Sequence, residues 1–435
     1  MILSRGHWAL LVLFLLNTLN FYDRQALAAV VEPLRREFSL TDQQIGWIGT
    51  AFTLLYAVVG LPIGRLADRV SRRGLLAAGG MLWSGLTALT SLATGFATLF
   101  ASRLGVGIGE AACAPAATSL IGDLFPAHRR ARAMGLFMLG LPLGLGMSYA
   151  LGGAVAHAHG WRAAFLVAGL PGLLVAGLCL TLPEPPRGAA ETSAVGARRR
   201  PGSPVRLLLS IPTLRWIIVS GAIHNFNLYA LSTFLPAFLS RQHGLDVARA
   251  GLLSGLIYLV AGLGMLLGGV VGDRAASRRP EGRLIAPAAA LLLAVPCLLW
   301  FLEQRPGEAT AAVALLALAM FLLYVYYAPV YATIHDVVEP SLRGTAMAVY
   351  FLAMYLLGAS VGPVAAGALS DHLAALEAAR AGSAEIGEAF RAAGLHQALY
   401  LVPLLCLPLV LSLLIAARRL PGDRARMDDW LSRRG

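Results

Sequence analysis

The chain has 435 residues, 57% of them hydrophobic and 13% charged, with a mean hydropathy of +0.70; a soluble domain carries roughly 25% charged residues. That composition excludes an ordinary soluble protein and leaves a polytopic membrane protein. The net charge of +12 would suit nucleic acid, but the arginines lie mostly in short loops between apolar runs, where they set topology, so no nucleic-acid partner is expected.

The first apolar stretch, Trp8 to Val31, is long enough to cross a bilayer as a helix. It shows no small-residue cleavage site and is expected to remain as the first span. Asp23 and Arg24 lie inside it. A charge near a helix centre costs roughly 2.5 to 3.5 kcal/mol on insertion and is tolerated where it faces a bundle interior or a wet cavity, which makes a transport pathway the first hypothesis. Asn17, Asn20 and Arg24 follow i, i+3, i+7 spacing and share a face, with Asp23 about 100° away and within reach of Asn20.

Apolar runs then predict spans over residues 43–66, 74–95, 97–123, 131–156 and 161–182, and a second set over 213–240, 248–272, 283–303, 309–336, 342–371 and 394–417. With the first, these make twelve helices in two sets of six. Residues 183–211, rich in Pro, Gly, Ala and Ser and carrying Arg198 to Arg200, read as a solvated cytoplasmic linker. The predicted organisation is a six-helix bundle over 1–182, the linker, a second bundle over 212–417 and a cytoplasmic tail over 418–435. Residues 372–394 read as a surface helix on the outer side. Cys113, Cys179, Cys297 and Cys406 fall singly in apolar segments, without metal-ligand spacing, and read as core.

Clusters such as Arg69, Arg72, Arg73 and Arg129, Arg130, Arg132 alternate with sparser loops carrying Arg35, Arg36, Arg162 and Arg241. The positive-inside bias puts both termini in the cytoplasm. All 35 basic residues are arginine, a pattern of GC-rich bacterial genomes, so a bacterial inner membrane is expected. An internal repeat is visible: Asn20-Phe21 recurs as Asn225-Phe226, Gly46 as Gly251 and Asp68-Arg69 as Asp273-Arg274, each separated by 205 residues. A six-helix unit repeated in one orientation implies an axis along the membrane normal and a substrate site between the halves near mid-membrane.

Span 4 carries Arg103 and Glu110, seven residues apart. They share a face but are separated by about 10 Å of rise, too far to pair directly. Counting along the spans brings Asp23 and Glu110 to similar depth, so two carboxylates and one arginine can form a buried cluster that binds and releases a proton. A permanent ion pair fixing spans 1 and 4, and simple packing for Glu110, remain the bland alternatives. Arg103, flanked by Gly105, Gly107 and Gly109, reads first as structural, bonding backbone carbonyls or the span 1 cluster. The second half has no matching charge. Instead Asn225, Asn227 and Tyr229 on span 7, beside His224, and Tyr324, Tyr327 and Tyr331 on span 10, beside Tyr326, offer a wall for an acyl chain.

Gly64 to Arg73, with Asp68 and Arg69, and Gly269 to Arg279, with Asp273 and Arg274, resemble the loop signature of the major facilitator superfamily. Gly64 would permit close helix approach, and Asp68, Asp123, Arg132 and Asp273 would act with Arg69 and Arg274 as cytoplasmic gate residues. Asn20-Phe21-Tyr22-Asp23-Arg24, Arg103 to Glu110, Ile121 to Pro126, Pro142 to Gly146, Gly160 to Phe165 and Phe234 to Leu239 are similar to the spinster branch of that superfamily. The resemblance implies an all-α major facilitator fold. It also implies proton-coupled movement of amphiphilic lipids of lysophospholipid or sphingosine type, with Asp23 and Glu110 coupling protons and Arg24, Asn20 and Arg103 serving the head group or gating. Organic anion symporters of the same superfamily share part of the span 1 and span 4 pattern and are the nearest rival. A lipid enzyme would need a nucleophile with a base, or a metal set, at membrane depth; no HExxH motif occurs and the nine histidines are dispersed. No metal or cofactor is expected; the expected partners are a small amphiphilic or anionic substrate, protons and membrane lipids, with the chain acting as a monomer.

Overall fold

The structure, a computed structural model, describes residues 5–67, 69–186, 204–339 and 342–432. Among these, twelve membrane-length segments follow one another. Span 1 is α1 (Arg5–Ala29), followed by a short α2 (Val31–Phe38); spans 2 and 3 are α3 (Asp42–Ala67) and α4 (Arg72–Thr90). Span 4 is made of α5 (Phe96–Glu110) and α6 (Cys113–Leu124), span 5 of α7 (Ala127–Met138) and α8 (Gly140–His159), and span 6 is α9 (Trp161–Leu178). After a short α10 (Pro204–Leu209), spans 7, 8 and 9 are α11 (Pro212–His243), α12 (Val247–Arg278) and α13 (Gly282–Leu302). Span 10 comprises α14 (Ala309–Tyr324) and α15 (Tyr327–Val337). Span 11 comprises α16 (Arg343–Ala353) and α17 (Val361–Arg380), joined by a π-helical turn at Met354–Ala359, and span 12 comprises α18 (Glu388–Leu399) and α19 (Leu401–Ser432).

Eight spans satisfy length and hydropathy alone; the others are α1, α3, α4 and α11. Both α1 and α11 fall short because they carry the buried polar residues on which the site is built. Local chemistry sets the helix starts. Thr41 and Gln44 cap the start of α3 reciprocally, at 3.0 and 3.2 Å. Ser71 accepts from the Gly74 N–H at the start of α4, and Asp246 accepts from the Arg249 N–H at the start of α12 at 2.9 Å.

Packing divides the chain into two compact units. The first comprises Met1–Val195 with Ser232–Leu256, the second Gly196–Leu231 with Ile257–Gly435, so α11 and α12 each contribute to both. In the first unit α1 packs on α8 and α9, α3 on α5, and α4 on α5 and α9. Lipid tails are as apolar as leucine, so close approach holds such helices together rather than expulsion from water. Gly107 shows this: a Cβ there would stand 2.6 Å from the Phe52 carbonyl oxygen, so only glycine lets α5 lie against α3. In the second unit α13 packs on α14 and α19, and α17 on α18.

One expectation needs revision. Residues 372–394 form no separate surface helix: α17 runs on to Arg380 and α18 starts at Glu388, so the Ala/Glu/Arg-rich stretch prolongs two spans into a helical hairpin. Its good helix formers continue whatever helix precedes them. The stretch after residue 417 is likewise helical, as part of α19. Arg198 to Arg200 lie outside the described residues.

Candidate functional site

In the first unit, Arg24 on α1 donates from Nε to Glu110 Oε2 at 2.8 Å, and the two side chains are 6% and 0% exposed. The arginine is boxed by aromatic faces, with Phe21, Phe52 and Tyr56 centred 4.7, 5.2 and 4.7 Å from its guanidinium carbon. Such faces attract a cation when water is excluded. Glu110 is the last residue of α5, at the break in span 4, and its Oε1 has no hydrogen-bond partner.

Asp23 points elsewhere. It is fully buried, neither carboxylate oxygen makes a hydrogen bond of normal geometry, and its polar neighbours include Arg103, Thr87, Glu110 and Tyr22. Arg103 donates to the Asp23 backbone carbonyl at 3.2 Å and to Thr87 Oγ1 at 3.2 Å, and stacks on Phe165 at 5.6 Å. The cluster is therefore two arginine–carboxylate neighbourhoods side by side, Arg24 with Glu110 and Arg103 with Asp23. Asn20 is buried and its Nδ2 lacks a partner, so it does not bond Asp23. Asn17 donates to the Phe137 carbonyl at 2.8 Å, at the break in span 5.

In the second unit the span 10 tyrosines form one continuous cluster. Tyr324 meets Tyr327 at 5.6 Å, Tyr327 meets Tyr331 at 5.8 Å, and Tyr331 meets Tyr350 and Phe351 at 5.8 and 5.6 Å. Tyr229 meets Tyr355 at 6.2 Å. Tyr327 donates to Asn225 Oδ1 at 3.4 Å, which ties α11 to α15. Asn227 stands apart from this wall: its amide donates to the Val402 carbonyl at 3.2 Å and lies 3.5 Å from Cys406 Sγ, a packing contact between α11 and α19.

At the chain-terminus end of each unit the same arrangement recurs. Arg72, first residue of α4, pairs with Asp123 of α6 and, at 2.8 Å, with Glu184. Arg283 at the start of α13 pairs with Asp336 of α15 and, at 3.4 Å, with Asp273. Asp68 lies outside the described residues. Arg69, Arg132 and Arg274 are exposed, and Asp123, expected together with Arg132 to act on Asp68, is paired with Arg72. Among the described residues nothing lies within 4 Å of a Cβ placed on Gly64. At Gly269, the counterpart of Gly64 in the second copy, a Cβ would meet the Ala328 Cβ at an ordinary 3.7 Å; the close approach in that loop falls three residues on, at Gly272, where a Cβ would stand 2.7 Å from Pro329.

Residues 13–363 match the family described as Major Facilitator Superfamily. The chain belongs to the major facilitator superfamily. An MFS-type efflux pump of Mycolicibacterium smegmatis is 33% identical over 381 residues, covering 85% of this chain and 86% of that protein. Protein spinster homolog 1 of Mus musculus is 33% identical over 404 residues, covering 85% of this chain and 74% of its own length. The crystal structure of a bacterial homolog to the human lysosomal transporter Spinster, inward-facing and unoccupied, superposes with a TM-score of 0.89 at 29% identity, covering 98% of this chain and 99% of that one. A D-xylose-proton symporter matches at a TM-score of 0.70 and 17% identity, a likeness of fold alone. The chain is thus a spinster-type major facilitator transporter, a multi-pass membrane protein and not an enzyme.

Sequence reasoning missed several residues of this transporter's ionic framework. Arg241, near the end of α11, makes a bidentate contact with Asp42 at 2.7 and 2.8 Å and donates from Nε to Glu32 at 2.5 Å; all three side chains are at most 5% exposed. The sequence showed Arg241 as one scattered loop arginine, and its partners lie about 200 residues away, beyond any spacing rule. Phe52, Tyr56 and Thr87 were missed because an aromatic or threonine inside an apolar run carries no signal of its own. Glu184 was the one legible case: a lone carboxylate beside the Arg72 end of a span.

Proposed function

We propose that this chain is a proton-coupled secondary transporter that moves an amphiphilic, lipid-like substrate of lysophospholipid or sphingosine type by alternating access. Its setting is a bacterial inner membrane, with both termini in the cytoplasm. The observation that carries the reading is the Arg24–Glu110 contact, in which one Glu110 oxygen is bonded and the other is bare. An anionic head group that draws Arg24 away leaves Glu110 a buried charge without its counterion. Uptake of a proton relieves it, which links substrate and proton at one arginine. Asp23 beside Arg103 supplies a second carboxylate in the same dry surroundings.

The second unit supports an apolar moiety. Its tyrosine cluster offers wide aromatic surface and few hydroxyl contacts, chemistry that suits an acyl chain better than a small sugar acid. The relative named as an efflux pump makes export the direction to examine first.

Flux in proteoliposomes under an imposed pH gradient tests the reading, with a lysophospholipid and a small sugar acid as competing cargo. Gradient-dependent movement of the lysophospholipid alone supports it. Movement of the sugar acid alone transfers the chain to the organic anion class.

A further inference from the structure

His224 lies in the middle of α11 and is completely buried. Its ring stacks on Tyr326 at a centroid distance of 4.1 Å and an interplanar angle of 24°, and Tyr327 meets it edge-on at 5.1 Å. Neither ring nitrogen has a hydrogen-bond partner, and the Nδ2 of the adjacent Asn225 has none either. The polar groups that touch these two residues are paired. Tyr326 is 2.7 Å from Ser220 Oγ and 3.2 Å from the Tyr350 hydroxyl, Ser220 donates to the Ile217 carbonyl at 2.8 Å, and Tyr327 donates to Asn225 Oδ1. Buried polar groups are nearly always satisfied, so three idle polar atoms on two successive residues, both touched by Tyr327, call for a partner. The cluster also sits at the break of span 10, where α14 ends at Tyr324 and α15 begins at Tyr327, and interrupted helices mark binding sites in this class of fold.

From this geometry we infer that His224 and Asn225 form a subsite for a hydroxyl group on the substrate, an inference that rests on the amphiphile reading above. A neutral imidazole presents one donor and one acceptor, and the asparagine amide adds donors. An alcohol matches that set, because its oxygen accepts from the imidazole N–H or the amide while its O–H donates to the bare ring nitrogen. An ester carbonyl or ether oxygen can only accept and would leave the ring nitrogen unpaired. A carboxylate or phosphate has the same defect and would add an uncompensated charge. Tyr327 is partly exposed and touches both residues, so the subsite borders the rest of the wall and an arriving hydroxyl leaves the Tyr327 contact on Asn225 Oδ1 in place. The substrate class is thus narrowed to amphiphiles with a free hydroxyl between head group and chain, such as monoacyl glycerol-based or long-chain amino-alcohol lipids.

The test is competitive binding to purified protein in nanodiscs, using a lysophospholipid with a free glycerol hydroxyl, its deoxy analogue and its O-methyl ether. Wild type should bind the hydroxylated lipid at least tenfold more tightly than either analogue, since a site built to hydrogen-bond a hydroxyl rejects ligands that lack it. His224→Phe, which keeps the stack on Tyr326, should bind all three alike, near the analogue value; His224→Gln, which keeps a donor and an acceptor, should recover part of the preference. Equal wild-type affinity for the three lipids overturns the subsite while leaving the amphiphile reading in place, and it identifies the idle atoms as water ligands only. Failure of all three to bind overturns the amphiphile reading and the subsite together. A thermal melt of each variant separates loss of preference from loss of fold: a His224→Phe protein that melts like wild type and still prefers the hydroxylated lipid also overturns the proposal.

Discussion

The guanidinium of Arg24 bonds only one oxygen of Glu110, at 2.8 Å, while Phe21, Phe52 and Tyr56 enclose its remaining faces. One arginine is therefore held by two kinds of contact, a charge it neutralises and rings it merely stacks on. Replacing Arg24 with lysine keeps the charge but loses the planar group that stacks between the rings. Arg24→Lys is expected to bind substrate at least tenfold more weakly while melting within a few degrees of wild type. Ligand binding and a melt on the same preparation check this.

Arg241 offers a test of stability. Removing it strips Asp42 of both guanidinium bonds and Glu32 of one, although Glu32 keeps Arg35 at 3.2 Å. Breaking a buried pair from one side costs about 3 to 5 kcal/mol, because it leaves an uncompensated charge. Arg241→Met should lower the melting temperature clearly, and the double replacement Arg241→Met with Asp42→Leu should recover much of the loss. A double variant no more stable than the single one would mean that the stranded Asp42 charge is not the cause of the loss.

Glu184 provides a pH dependence outside the membrane spans. Burial works against its charge. The Arg73 N–H, the Arg72 guanidinium, the Ser71 hydroxyl and the Arg72 N–H outweigh that and hold its carboxyl down to about 2, from an ordinary 4.5. A lowered folded value gives stability that is complete above the ordinary value and is lost as pH falls through the folded one. The melting temperatures of wild type and Glu184→Gln should therefore differ most above pH 4.5 and converge as pH falls toward about 2. Curves that stay parallel would show that Glu184 stabilises nothing through its charge.

Gly107 is the close-packing test. A side chain there would meet the Phe52 carbonyl, so Gly107→Val must push α5 from α3 and shift Phe52 off Arg24. Overpacking of this kind costs about 1 to 3 kcal/mol. A lowered melting temperature together with weakened substrate binding is expected.

The parts of this molecule legible in its sequence are those that break a local pattern. Asp23, Arg24 and Glu110 stand out because charges inside apolar helices are costly, and the paired loops stand out because they repeat at one offset. Distances across the fold were not legible. Nothing in spacing links Arg241 to Asp42, or places Phe52 and Tyr56 around Arg24. Nor does it show that Arg103 takes the Asp23 side while Arg24 takes Glu110. The breaks after Glu110 and Tyr324 were hidden because alanine and tyrosine continue a helical pattern without penalty, and the 372–394 stretch misled because a good helix former does not say which helix it prolongs.

The central claim is that Glu110 carries the coupled proton. Uptake or release of a lysophospholipid by proteoliposomes under an imposed pH gradient, compared between wild type and Glu110→Gln, tests it most directly. The account predicts that the variant, fixed in the neutral form, binds the lipid about as well as wild type but loses most of its response to the gradient. A variant that responds to the gradient like wild type would contradict the account and leave Glu110 as a packing partner of Arg24.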